Sequence, residues 1–89
     1  MSNTLTRIRK LREFCQYPQA AVAEYLGITQ TAYSRLENGQ TRLDIERIEQ
    51  IAGLYGLSTA DLMTKDVADL IKQLLDDPNH NSKGGGGNW

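Results

Sequence analysis

Apolar residues recur along this chain at steps of three and four, which is the spacing of one face of an α-helix. The first such stripe consists of Leu5, Ile8, Leu11 and Cys15. It predicts a helix from about Thr4 to Gln16, which ends before Pro18 because the residue preceding a proline disfavours helical backbone. Similar stripes follow, and no segment alternates convincingly in the two-residue period of a strand. The pattern therefore predicts an all-α fold.

Capping and turn residues divide the middle of the chain into short helices. Pro18 suits the first turn of a second helix, Pro18–Leu26, because the N–H that proline lacks is not needed there. Gly27 is predicted to end this helix in a left-handed conformation. Thr29 can cap a third helix through its hydroxyl, and Asn38-Gly39 should end that helix with another left-handed residue.

A fourth and a fifth helix are predicted in the same way. Asp44 is a good cap for the fourth helix, which Gly56 closes. The apolar stripe predicted for this helix consists of Ile45, Ile48, Ile51, Ala52 and Tyr55. Ser58 can cap a short fifth helix.

A sixth helix is predicted from about Asp66 to Leu75, since its apolar residues fall on one face. They are Val67, Leu70, Ile71, Leu74 and Leu75. The end of the chain, with four consecutive glycines, cannot bury enough apolar surface to fold and is predicted to be disordered. We therefore expect a domain of residues 4–64, a C-terminal helix of residues 66–77 and a tail of residues 78–89.

The two helices that flank Gly27 meet the packing demands of a helix-turn-helix, in which two helices cross steeply through a tight turn. Ala23 supplies a small residue where the helices cross, and Gly27 tolerates a positive φ in the turn. The inward positions are apolar: Val22, Leu26, Ile28, Tyr33 and Leu36. All these demands are met in register between Gln19 and Asn38, which makes the motif a specific one.

The string QAAVAEYLGITQTAYSRLENG, from Gln19 to Gly39, resembles the helix-turn-helix of the XRE/Cro-type, or phage-repressor, family. The likeness covers about residues 5–63, from the IRKLR string that starts at Ile8 to the pair Asp61-Leu62. It implies a compact five-helix repressor-like domain. In this family the third helix lies in the major groove of duplex DNA. The sixth helix and the tail fall outside the resemblance.

The resemblance assigns roles to the exposed residues of the second and third helices. Gln19 would bind a phosphate and brace the third helix, and Gln30 would pair with the edge of an adenine. Thr31 and Ser34 share the same exposed face and could meet a thymine methyl group, a base edge or a phosphate. Arg35 lies one turn further on, where its planar group suits the O6 and N7 atoms of guanine.

Four more residues at the end of the third helix and in the following loop would follow the sugar-phosphate backbone. They are Asn38, Gln40, Thr41 and Arg42. The resemblance also pairs Arg12 with Glu37 in a partly buried salt bridge, so we do not count Arg12 among the DNA contacts.

The chain departs from the family pattern at three positions. Pro18 stands where Ser or Thr usually caps the second helix, and Leu43 replaces a common loop proline. Tyr33 stands where Ile or Val is commoner. We expect its ring to fill the core and its hydroxyl to point toward the backbone or the DNA.

The net charge of −1 hides a difference between the two halves of the chain. Residues 1–42 carry six cations and three carboxylates, a charge of +3, and residues 43–89 carry four cations and eight carboxylates, a charge of −4. A basic front half is compatible with binding to phosphates, although solvated helix faces can produce the same polarity.

The sequence gives no sign of catalysis, metal or cofactor binding, or membrane insertion. Its one cysteine, Cys15, lies on the apolar stripe of the first helix and is expected to be a buried hydrophobe. No apolar run is long enough to span a bilayer, and no signal-peptide segment is visible at the start. We expect a cytoplasmic protein that is not an enzyme.

Three functions remain open from the sequence. The first is a sequence-specific transcriptional regulator, most simply a repressor, that binds a palindromic operator as a homodimer. The second is an antitoxin that binds DNA and a toxin partner. The third is an adaptor that binds only proteins, which the polar face of the third helix disfavours. The helix after Asp66 could fold back on its own domain or pair with a second subunit.

Overall fold

A computed structural model of the protein describes residues 3–76, and every regular element in this part of the chain is an α-helix. The bounds are α1 Asn3–Phe14, α2 Gln19–Leu26, α3 Gln30–Glu37, α4 Ile45–Leu54, α5 Thr59–Thr64 and α6 Val67–Asp76. The predicted all-α class is confirmed, with five helices of the helix-turn-helix domain followed by one more. The predicted disorder of residues 78–89 lies outside the described residues.

Short-range chemistry sets the helix ends at the positions that the sequence indicates. Thr29, Asp44 and Ser58 each accept a hydrogen bond from the backbone N–H three residues further on, at 3.1, 2.9 and 3.0 Å. These bonds satisfy N–H groups that the first turn of a helix leaves unpaired. Gly27 and Gly39 have φ angles of 74° and 77°, so the predicted left-handed turns after α2 and α3 are confirmed.

The boundary between α1 and α2 differs from the prediction by two residues. α1 ends at Phe14, because Gln16 adopts a left-handed φ of 59° and the N–H of Tyr17 turns back to the carbonyl of Arg12 at 3.0 Å. Pro18 lies just outside α2, in an extended conformation with φ −72° and ψ 156°. Its ring cannot donate or accept a side-chain hydrogen bond, so this end of α2 has no side-chain cap.

The core lies where α1, α2, α3 and α4 converge. The small residue Ala23 is 2% exposed at the junction of α2 and α3, as the motif requires, and Val22 rather than its neighbour Ala21 faces inward. Other members of the core are Ile8, Leu11, Leu26, Tyr33, Ile48, Ile51, Ala52, Tyr55, Leu57 and Leu62. Cys15 is only partly buried at the edge of this core.

The predicted stripe of α4 is wrong at its first position. Ile45 is 54% exposed, whereas Ile48 one turn later is 5% exposed. Ile45 is the first residue of α4 and follows the exposed cap Asp44, so it lies at the solvent end of the helix. The buried stripe therefore begins at Ile48.

The sixth helix folds back on its own domain. Leu70 and Leu74 are 0% and 3% exposed, and α6 packs against α1. The side-chain amide of Gln73 donates to a carboxylate oxygen of Asp61 at 3.3 Å, which links α6 to α5. Of the two arrangements left open by the sequence, the structure contains the fold-back. Within residues 3–76, no helix is long and apolar enough to cross a membrane.

We expect Leu70→Ala to lower the free energy of unfolding by about 2–5 kcal/mol, the usual cost of emptying a fully buried leucine site. Ile45→Ala removes a branched aliphatic side chain of the same size from an exposed position and should change stability by less than about 1 kcal/mol. Chemical denaturation of both variants measures the difference. Equal and small effects would mean that α6 is not part of the folded unit.

Candidate nucleic-acid interface

A buried carboxylate on α3 accepts hydrogen bonds from side chains of α1, α2 and α3 itself. Glu37, at the end of α3, is 2% exposed. The guanidinium of Arg12 in α1 donates two hydrogen bonds to this carboxylate, from Nε to Oε2 at 2.8 Å and from Nη2 to Oε1 at 3.0 Å. The amide of Gln19 donates to Oε1 at 3.0 Å, and the hydroxyl of Tyr33 donates to Oε2 at 2.6 Å. We call these four residues the Glu37 cluster.

The hydrogen bonds of the cluster keep Glu37 ionised. Burial alone would raise the pKa of Glu37, but the bonds from Arg12, Tyr33 and Gln19 outweigh it and hold the pKa below its ordinary value. The bond to Glu37 raises the pKa of Arg12, and burial together with the same carboxylate raises the pKa of Tyr33. At neutral pH the cluster is therefore a carboxylate, a guanidinium and a neutral phenol.

Two expectations about this region have different outcomes. The salt bridge between Arg12 and Glu37 is confirmed, and it is more buried than expected, since the Glu37 side chain is 1% exposed. The expectation that the Tyr33 hydroxyl points to backbone or DNA is wrong. Tyr33 precedes Glu37 by one turn on the same face of α3, which brings the hydroxyl onto the carboxylate. That four-residue spacing, with tyrosine at a position usually held by an aliphatic residue, was the signal available in the sequence.

Polar side chains of α2, α3 and the following loop line one open concavity of ≈ 380 Å³. The residues are Gln19, Gln30, Thr31, Ser34, Arg35 and Gln40. The structure thus brings together six of the nine residues that the sequence singles out. The other three, Asn38, Thr41 and Arg42, are exposed at the end of α3 and in the loop but do not line the concavity.

The cations of the front half are used in different ways. Arg35 and Arg42 are exposed, and their guanidinium groups make no hydrogen bond or ion pair within residues 3–76. Arg12 is committed to Glu37, and the guanidinium of Arg7 binds the carbonyls of Lys65 and Met63 at the end of α5. The basic front half is therefore not one uniform surface: Arg35 lines the concavity, whereas Arg42 lies in the loop that follows α3.

Two short helices, α2 and α3, that are joined by a tight turn at Gly27 and carry polar side chains on their outer face are typical of helix-turn-helix proteins. Residues 8–62, more than half of the chain, match the helix-turn-helix family model. The chain is also 30% identical over 73 residues to the SPbeta prophage-derived uncharacterized HTH-type transcriptional regulator YonR of Bacillus subtilis (strain 168). That match covers 81% of this chain and 68% of the relative. No solved structure matches the chain significantly.

The chain therefore belongs to the XRE-type helix-turn-helix family, as its resemblance implies. It is a DNA-binding protein of the class that regulates transcription.

Two buried tyrosines allow a matched test of the Glu37 cluster. Tyr33 and Tyr55 are both 0% exposed, but the hydroxyl of Tyr33 binds Glu37, whereas the hydroxyl of Tyr55 has no hydrogen-bond partner among the described residues. We expect Tyr33→Phe to lower the free energy of unfolding by about 1.5–3 kcal/mol, because it removes a hydrogen bond to a charged group. Tyr55→Phe should leave stability unchanged or raise it. Urea denaturation decides, and a larger loss for Tyr55→Phe would contradict the assignment.

Proposed function

We propose that this protein is a sequence-specific repressor that reads the major groove of duplex DNA with α3. The observation that carries the proposal is the concavity lined by Gln19, by four residues of α3 and by Gln40. Its lining residues offer amide, hydroxyl and guanidinium groups, which are the groups that read base edges and phosphates. The major groove of B-DNA is about 12 Å wide and admits an α-helix.

The exposed face of α3 carries donors for base reading from its first residue, Gln30, to Arg35 in its last turn. Gln30 and Ser34 are four residues apart, as are Thr31 and Arg35, so both pairs lie on one side of the helix. In a docked helix-turn-helix the first residues of the recognition helix contact the bases. We therefore assign a base contact to Gln30. We assign another to Arg35 because its planar guanidinium suits the O6 and N7 atoms of guanine, with Thr31 and Ser34 between the two.

Gln19 is oriented for a phosphate by its bond to Glu37. One N–H of its amide donates to the buried carboxylate. Because a carboxylate only accepts, this bond sets the orientation of the amide, with Nε2 toward Glu37. The second N–H remains for a partner, and the side chain lines the concavity. We assign this N–H to a phosphate oxygen at the edge of the groove. The exposed residues Asn38, Gln40, Thr41 and Arg42 would extend the contacts along the same backbone.

Repression is the simplest regulatory output for such a domain, because occupying an operator is enough to block a polymerase. The curated relative is by name a prophage-derived transcriptional regulator, which supports the same class of activity for this chain. Such a regulator acts in the cytoplasm, where the sequence leads us to expect this protein.

A homodimer on a palindromic operator is part of the proposal. One domain of this size covers a half-site, and two-fold dimers match half-sites about 34–36 Å apart, one turn of DNA. The domain measures 35 × 27 × 20 Å, so two copies can lie side by side on one face of a duplex at that spacing. A monomer in sedimentation experiments, both free and on the preferred site, would contradict the dimer.

The packing of α6 against α1 limits how α6 could bind a second subunit or a toxin. Leu70 and Leu74 already contact their own domain, so α6 would have to leave α1 before it paired with a second subunit or clasped a toxin. The apolar face of α6, which could clasp a toxin in the antitoxin alternative, is therefore covered at Leu70 and Leu74, although Leu75 is 58% exposed. The dimer proposal depends on the half-site geometry and not on α6.

Selection of bound sequences from random duplex DNA tests the proposed function. We expect a palindromic consensus and a steep loss of affinity with rising salt. Enrichment of no sequence, with negligible affinity at low salt, would favour the protein-binding adaptor instead.

Two arginine variants separate base reading from backbone contact on the selected site. Arg35→Ala should cost about 1–3 kcal/mol in binding and relax the preference at one base position. Arg42→Ala should weaken the selected and scrambled duplexes alike and lower the salt slope by about 1. Fluorescence anisotropy on both duplexes measures these effects. If Arg35→Ala weakens all sequences equally, Arg35 does not read a base.

A further inference from the structure

The guanidinium group of Arg9 lies at the C-terminal end of α3. Its Nη2 donates to the backbone carbonyl of Glu37 at 3.3 Å. The side chain is partly exposed, and Nε and Nη1 make no hydrogen bond within residues 3–76. The bond ties α1 to the last residue of α3, directly before the chain enters the loop that contains Arg42.

A second contact holds α1 against the same loop. A Cβ atom placed on Gly39 would stand 3.4 Å from Cδ1 of Leu5, so the first turns of α1 pack closely on this glycine. Gly39 immediately precedes the loop residues Gln40, Thr41 and Arg42. Leu5 and Arg9 are four residues apart and face the same side of α1. Arg9 therefore shares a surface with the loop to which we assign contacts with the sugar-phosphate backbone.

We propose that Arg9 is a further DNA-backbone contact of this interface. Its Nη2 donates to the Glu37 carbonyl, and its remaining N–H groups donate to a phosphate oxygen beside the loop. A guanidinium presents five N–H donors in a rigid plane, so it can bind a carbonyl and a phosphate at the same time. The proposal rests on the DNA-binding function proposed above.

The other two arginines of α1 do not have this freedom. The guanidinium of Arg12 donates to the carboxylate of Glu37 through Nε and Nη2, and its Nη1 donates to the carbonyl of Tyr17 at 3.0 Å. Arg7 binds two carbonyls at the end of α5, and it lies about half a helical turn from Arg9 around α1. Arg9 alone among these three arginines combines unpaired N–H groups with a position beside the loop.

The salt dependence of binding tests the proposal. Arg9→Ala and Arg7→Ala form a matched pair, since each removes one cation that binds backbone carbonyls at the end of a helix, one carbonyl for Arg9 and two for Arg7. Affinity is measured against salt concentration on a duplex with the selected site and on a scrambled duplex of equal length. Arg9→Ala should lower the slope of log affinity against log salt by about 0.9 on both duplexes, the value for one phosphate contact. Arg7→Ala should keep the wild-type slope.

Two further variants keep the test decisive if Arg9→Ala is unstable. Arg9→Gln retains an N–H donor for the Glu37 carbonyl but no charge, and should lose the same slope as Arg9→Ala. Arg9→Lys retains the charge and should keep the wild-type slope. Circular dichroism confirms that each variant is folded before binding is measured.

Two results would overturn the proposal, and they differ in what they say about function. If the wild type binds DNA with a steep salt slope and the uncharged Arg9 variants keep that slope, Arg9 is only a structural clamp between α1 and α3. If the wild type shows no salt-dependent binding to either duplex, the DNA-binding function itself fails, and the assignment of Arg9 fails with it.

Discussion

A carboxylate buried between helices must be neutralised and hydrogen-bonded, and in this protein that requirement fixes how three helices meet. Glu37 receives two bonds from Arg12, one from Gln19 and one from Tyr33, so both of its oxygens are satisfied. Removing one partner of such a buried pair usually costs about 3–5 kcal/mol, because the other charge is left uncompensated. The angle between α2 and α3 and the position of α1 are thus tied to one side chain.

The same cluster connects stability to the outer face of the domain. Gln19 contacts the buried carboxylate on one side and lines the polar concavity on the other. Glu37 also carries the carbonyl that Arg9 binds, so the end of α3 is held through both its side chain and its backbone. In the proposed complex, a rigid α3 meets the bases with little loss of conformational freedom, which favours specific binding.

The local features of this fold could be predicted from the sequence, because their causes lie within a few residues. The caps at Thr29, Asp44 and Ser58 each join a side chain to a backbone N–H three residues further on, and the left-handed turn at Gly27 depends on that glycine itself. Features that depend on distant contacts could not be derived from local patterns, and the salt bridge between Arg12 and Glu37 was expected only from the family resemblance. The predicted stripe of α6 contained the buried residues Leu70 and Leu74, but it was wrong at Leu75, which is 58% exposed, and it did not show that α1 covers the helix.

The candidate site likewise contains features that could be predicted from the sequence and features that could not. The exposed residues of α3 could be identified from the motif, since its inward residues determine which positions face outward. The separate uses of Arg7 and Arg9 could not, because their partners lie 56 to 58 and 28 residues away in the chain. The hydrogen bond from the Tyr33 hydroxyl could have been predicted, because Tyr33 and Glu37 are four residues apart on α3 and the resemblance already placed Glu37 in a partly buried salt bridge.

An NMR titration of the labelled protein with the selected duplex tests the central claim most directly, that α3 and its flanks are the surface that meets DNA. The largest amide shift changes should fall at the start of α2, along α3 from Gln30 to Arg35 and in the loop to Arg42. The amides of α6 should change little. Large changes confined to α4 and α6, with α3 unaffected, would contradict the claim.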